Sequence, residues 1–267
     1  MIALRDDEKI LPPVFPNVGI EVEYRRRLLA LLDEMAASYL WWLRAQYRKT
    51  PPALGQDATP AKELEKALKE LAKRWDKRFD KAAKELADYF SLAVNRRSEA
   101  SLRAILKRGG WSVSFRMTPA MRDVFNATKA ENVALIKSIA TQYHTQVQTL
   151  VMQSVTAGRD LKTLTDELTQ RYGISRRRAA LIARDQNNKA TAVMTRARQQ
   201  GLGITEAIWL HSHGGKEPRR THLANDGKRY NIAEGWYDPD PKVRKRIWPG
   251  TEINCRCVSK SIIKGFL

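Results

Sequence analysis

The sequence predicts a mainly α fold, with long amphipathic helices forming a helical body and a small α+β module at the C-terminus. Three observations carry this. Apolar residues recur at three-and-four spacing through most of residues 20–202, as a helix with one buried face requires. Start and stop signals (Thr-Pro pairs, single glycines) punctuate that pattern. After Gly203 the pattern gives way to short runs separated by turn residues, the mark of small strands.

Residues 1–19 contain Pro12, Pro13 and Pro16 and show no helical period, so they read as an extended arm. From Ile20 to Arg48 the stripe Tyr24, Leu28, Leu32, Met35, Tyr39, Leu43, Tyr47 predicts one long helix. The segment TPPALGQDATP interrupts it, and Thr59 with Pro60 reads as the cap and first turn of the next. A second stripe follows at Leu64, Leu68, Leu71, Trp75, Phe79, Ala82, Leu86 and Phe90, flanked by alternating Lys and Glu. The two helices suggest an antiparallel hairpin, stopped by Gly109-Gly110.

Thr118-Pro119-Ala120 repeats the start signal, and Ile136, Ile139, Tyr143, Val147 and Leu150 mark a third helix closed by Gly158. Asp160 is expected to cap a short helix with Leu161, Leu164 and Leu168 inward, ending at Gly173. Ser175 then caps another, from Arg176 to about Gln200. Strands are expected at Glu206–His211, at Lys228–Ile232 after the turn Asn225-Asp226-Gly227, and at Ile253–Val258; the stretch between the last two reads as loop. The expected divisions are an arm (1–19), a helical body (20–202) and a C-terminal module (203–267).

Of the 267 residues, 48 are Lys or Arg and 29 are Asp or Glu, a net charge of +19. Such a surplus favours a polyanion, above all nucleic acid. Residues 201–267 carry 12 Lys and Arg against 7 Asp and Glu, +5 of that total. The charge is therefore spread along the chain, which points to general attraction rather than sequence reading. No apolar run is long enough to span a membrane, and the N-terminus has no signal-peptide pattern. Two cysteines rule out a disulfide framework and suggest a reducing compartment.

Both cysteines, Cys255 and Cys257, and three of the four histidines, His211, His213 and His222, lie in the C-terminal module. Residues two apart on a strand share a face, so both thiols can reach one site. The candidate set His213, His222, Cys255 and Cys257 would give zinc its tetrahedral sulfur and nitrogen ligands, although the spacing departs from the usual paired knuckles. The other reading makes the cysteines small buried hydrophobes. His211, His213, His222 and Arg219 would also suit a metal-dependent nuclease, but Asp226, Asp238 and Asp240 are scattered among turns and form no acidic pair for a hard cation. Two basic clusters are candidate DNA or anion contacts. Arg176, Arg177 and Arg178 stand at an expected helix start, where the dipole disfavours them unless an anion is present. Lys242, Arg244, Lys245 and Arg246 lie beside Trp236, Tyr237 and Trp248, which can stack on bases or form a small core.

Over residues 175–260 the elements Ile182-Ala183-Arg184, Gly203-Ile204, Trp209, Arg219 through His222, Asp226-Gly227-Lys228 and Asn254-Cys255-Arg256-Cys257 occur in order, and this set resembles the Mu F-type minor head protein family of tailed phages, also called head morphogenesis proteins. Some members have Cys-x-x-Cys where this chain has Arg219 and His222, so here only His222 stands in for that pair. The resemblance implies a late virion structural protein of few copies, assembled in host cytoplasm. Its implied partners are the portal protein, other phage head proteins and packaged double-stranded DNA bound non-specifically, with no enzymatic role and no membrane. A free zinc-stabilised nucleic-acid-binding protein and a metal-dependent nuclease are the alternative classes.

Overall fold

A computed structural model describes residues 7–49, 58–157, 161–214 and 217–264. In chain order the elements are β1 (Glu8–Ile10), α1 (Val18–Lys49), α2 (Ala58–Gly109), α3 (Pro119–Ala157), α4 (Leu161–Gly201), β2 (Glu206–Leu210), α5 (Arg220–Ala224), β3 (Arg229–Asn231), β4 (Trp236–Asp238), β5 (Lys245–Ile247) and β6 (Val258–Lys264). The expected mainly α fold with a small C-terminal sheet module is what the chain adopts. None of the described helices is long and apolar enough to cross a membrane.

The chain divides into two compact units: Met1–Glu21, Tyr89–Lys129 and Arg184–Leu267 in one, Val22–Asp88 and Ala130–Ala183 in the other. Among the described residues the second unit is all helix. Every residue of the α1 stripe, from Tyr24 to Tyr47, is buried, and so is the α3 stripe from Ile136 to Leu150. Along that seam, buried tyrosine hydroxyls meet polar side chains of α3. Tyr24 Oη donates to Asn132 Oδ1 (2.9 Å), Tyr39 Oη pairs with His144 Nδ1 (2.6 Å) and Tyr47 Oη donates to Ser154 Oγ (3.0 Å). The partners rise together in number, so these stretches of α1 and α3 are parallel. Trp75 Nε1 donating to Ser38 Oγ (3.2 Å) and the Arg78–Glu34 ion pair rise in opposite order, so α1 and α2 are antiparallel, as a hairpin requires.

The α2 seam departs from expectation in one place. Beyond Phe79 the buried line passes through Ala83 and Ala87 to Phe90, while Ala82 and Leu86 are half-buried. Steps of four keep the line on one face, so position rather than side-chain size decides against Leu86. The expected break between α1 and α2, including residues 50–57, and the capping positions Gly158 and Asp160 lie outside the described residues. Thr59 and Pro60 fall inside α2, which begins at Ala58. Thr118 does cap α3: its Oγ1 accepts the Met121 N–H at 3.2 Å.

The expected stop at Gly173 and restart at Ser175 do not occur; α4 is continuous. One interior glycine costs about 1 kcal/mol, and the burial of Leu164, Leu168, Ala179 and Ile182 outweighs it. Arg176, Arg177 and Arg178 are therefore in mid-helix, and the dipole argument for an anion there lapses.

In the first unit, β6 and β2 form the centre of an antiparallel sheet of order β1-β6-β2-β3. Residues 8–10 of the expected arm are its edge strand β1, held at the opposite edge by the Arg229–Glu8 ion pair (2.6 Å). Leu11 and Val14 continue into a small core with Leu102, Ile105 and Leu106 of α2. Arg198 of α4 is buried and donates to Asn95 Oδ1 (2.6 Å) and Ser98 Oγ (2.9 Å) of α2. The stretch expected as loop holds the hairpin β4–β5, pairing Trp236 with Ile247 and Asp238 with Lys245. The expected strand at 253–258 is also displaced: both cysteines precede β6 in an irregular loop. Three-residue strands carry too few alternating positions to stand out from surrounding charges and prolines.

Candidate metal centre

Cys255, Cys257 and His222 converge at the base of the first unit's second core, which contains Ile204, Ala207, Trp209, Tyr230, Ile232 and Ile247. His222 comes from α5 and the cysteines from the loop before β6. His222 Nδ1 lies 3.5 Å from Cys255 Sγ and 3.8 Å from Cys257 Sγ, and all three residues are buried. Trp209 packs edge-on against the imidazole, ring centres 5.2 Å apart, which fixes its plane. The far nitrogen, His222 Nε2, is buried without a hydrogen-bond partner and faces the fully buried Asp238, whose Oδ2 is 3.8 Å away. Asp238 is held in turn by the Thr221 hydroxyl (3.0 Å) and the Asp240 N–H (3.0 Å).

The Cys255 loop is clamped from several sides. Asn254 adopts φ 61°, a left-handed conformation that asparagine tolerates better than most residues. Its N–H donates to Asp185 Oδ1 (2.6 Å), and its side-chain oxygen accepts from Arg184 (3.2 Å). Arg219 donates to the Ile253 carbonyl (2.9 Å), and Asn188 to the Cys255 carbonyl (3.2 Å). Arg256 donates to the Gly214 carbonyl (2.8 Å), tying down the His211–Gly214 segment. Gly250, at φ 82°, donates its N–H to Cys255 Sγ (3.3 Å). A Cβ there would sit 2.9 Å from Ala192 Cβ and 3.2 Å from the Cys257 carbonyl. On the other side, Gly227 N–H donates to the Trp209 carbonyl (2.8 Å) and Trp209 N–H to the Lys228 carbonyl (2.9 Å). The Asp226-Gly227-Lys228 turn thus fixes Trp209 beneath the imidazole.

Cys255 is pulled down because the Cys257 thiol donates to it and His222 stands beside it. Cys257 is pushed up by the adjacent Cys255 sulfur and by burial. Burial, with His213 close by, lowers His211. Asp226 is lowered chiefly by the His211 N–H it accepts, then by His213.

Of the expected ligands, three meet and His213 does not. Its side chain is 61% exposed and pairs with Asp226 Oδ2 at 2.8 Å, so the nearby carboxylate has taken the ring. His211 lines the same pocket as the cluster, together with Arg184, Arg219 and Arg256. Asp238 and Asn188 belong to this site although sequence reasoning does not find them. In sequence Asp238 is one of three scattered carboxylates, and only the β4–β5 pairing brings it under His222. The basic clusters are mixed. Arg176 is held by Asp33 (2.6 Å) and Arg178 by Ser138 (3.0 Å), whereas Arg177 is exposed. Lys242, Arg244, Lys245 and Arg246 are exposed around the hairpin, with Lys245 paired to Glu252 (3.0 Å). Trp236 and Trp248 pack against the core, and only Tyr237 of that aromatic group is largely exposed.

Residues 145–260 match the family described as Phage Mu protein F like protein. An uncharacterized protein of Haemophilus influenzae is 32% identical over 214 residues, covering 79% of this chain and 45% of that protein. The chain therefore spans less than half the length of this relative. No solved structure matches it. Residues 145–260, the stretch that matches this family, hold every one of the motif residues clamped around Cys255, Cys257 and His222.

Proposed function

We propose that the protein is a structural protein of a tailed-phage head, present in few copies at or near the portal vertex, where it assists head assembly or genome delivery. The family match over residues 145–260 carries this reading, because the motif residues it spans form one interlocked set of loops. The motif arginines are engaged in holding the loops together, Arg219 and Arg256 through backbone carbonyls and Arg184 through the Asn254 side chain, a role that suits a scaffold for partner contacts. Packaged DNA is the second partner in this reading. The net charge of +19 and the exposed cations Lys242, Arg244, Lys245 and Arg246 support non-specific contact with phosphates. The role assigned is structural and virion-associated.

An amber mutation in the gene of a phage that encodes this protein tests the reading. Electron microscopy of non-suppressing lysates should show aberrant or non-infectious heads, rescued by the wild-type chain supplied in trans. A normal yield of infectious particles without the protein would overturn it.

A further inference from the structure

We propose that Cys255, Cys257 and His222 hold one zinc ion, with the fourth coordination position open to the pocket that His211 lines. The proposal is independent of the head-protein reading. Tetrahedral zinc with bonds of about 2.3 Å to sulfur and about 2.0 Å to nitrogen sets its sulfur and nitrogen ligands about 3.6 Å apart. The observed separations from His222 Nδ1 are 3.5 and 3.8 Å. All three ligand atoms lie within 4.8 Å of one another, and all three residues are buried. Two sulfurs and an imidazole as donors select zinc over harder cations.

The surroundings supply what such a site needs. An imidazole that ligates through one nitrogen commonly offers the other to a carboxylate, which fixes its orientation. His222 Nε2 is the buried nitrogen left without a hydrogen bond, and Asp238 is the buried carboxylate it faces at 3.8 Å. The Gly250 N–H directed at Cys255 Sγ stabilises a thiolate there.

His213 and His211 are excluded as ligands for separate reasons. His213 is exposed and bound to Asp226. His211 accepts the His213 N–H on Nδ1 at 3.1 Å, which in the neutral ring leaves the proton on Nε2. With Nδ1 occupied and Nε2 protonated, His211 offers no lone pair, so the fourth position goes to water or to an incoming anion. Arg219 and Arg256, which line the same pocket, favour an anion there.

Zinc content of the full chain, purified under reducing conditions without added metal, tests the proposal. Elemental analysis should find one zinc per chain. C255S, C257S and H222A should each lose it, while H213A and H211A keep it. Cobalt exchanged into the wild-type chain gives the same answer without depending on the folding of any variant. It should show the intense thiolate-to-cobalt band and tetrahedral visible bands, and azide should shift the visible bands through the open position. A metal-free chain that takes up neither zinc nor cobalt would overturn the site. Loss of zinc in H211A, with folding intact by circular dichroism, would overturn the open position, as would a cobalt spectrum indifferent to azide.

Discussion

Gly250 shows how tightly single residues are constrained around the cysteines. Its φ of 82° lies where a side chain is strained, and a Cβ would press on Ala192 and the Cys257 carbonyl. G250A should therefore lower the free energy of unfolding by about 2 kcal/mol or more. Urea denaturation with an unchanged m-value would read this as a shift in midpoint. At this scale the sequence is informative about chemistry and less so about partners. Cys255, Cys257 and His222 stand out by residue type and end up together. His213 has the same type and similar spacing but lies beside Asp226, a competition that no residue count reveals. Asp238 is illegible for the opposite reason. Its role exists only because a three-residue strand places it under an imidazole 16 positions earlier in the chain.

The elements of the helical unit are largely legible because period and burial coincide. The α1 stripe from Tyr24 to Tyr47 is buried throughout, and long helices give the period many repeats in which to show. The breaks within helices are not legible, as Gly173 in the middle of α4 demonstrates, because packing overrides a local cost of about 1 kcal/mol. The seam of α1 and α3 also carries a titratable group. His144 pairs with the Tyr39 hydroxyl at 2.6 Å, and burial lowers its affinity for a proton below the ordinary value of 6.5, partly opposed by Asp76. A lowered value in the fold means the neutral ring is favoured there. Its contribution is complete above pH 6.5 and is lost as the pH falls through the folded value. Thermal unfolding of the wild type should therefore lose stability on acidification below pH 6.5 more steeply than that of H144Q. Parallel pH profiles for the two chains would contradict this.

On the scale of the whole molecule, net charge and family motifs bear on the same setting. A protein carrying +19 meets a dense polyanion with little need for sequence reading. DNA affinity should fall steeply between low and physiological salt and be indifferent to sequence. Replacing Lys242, Arg244, Lys245 and Arg246 together by Ala should flatten the log–log salt slope by up to about 3.6, at about 0.9 for each phosphate no longer neutralised. Fold class is readable from periodicity, and family from a handful of turn and loop residues. The site itself becomes legible only when the loops that carry those residues close on one another. The most direct test is sedimentation of a lysate of cells producing the phage on a density gradient, with the protein quantified in each fraction. The account predicts that it travels with procapsids and mature heads in a few copies per particle. Recovery solely in the slow-sedimenting soluble fraction, with none in procapsids or virions, would contradict it.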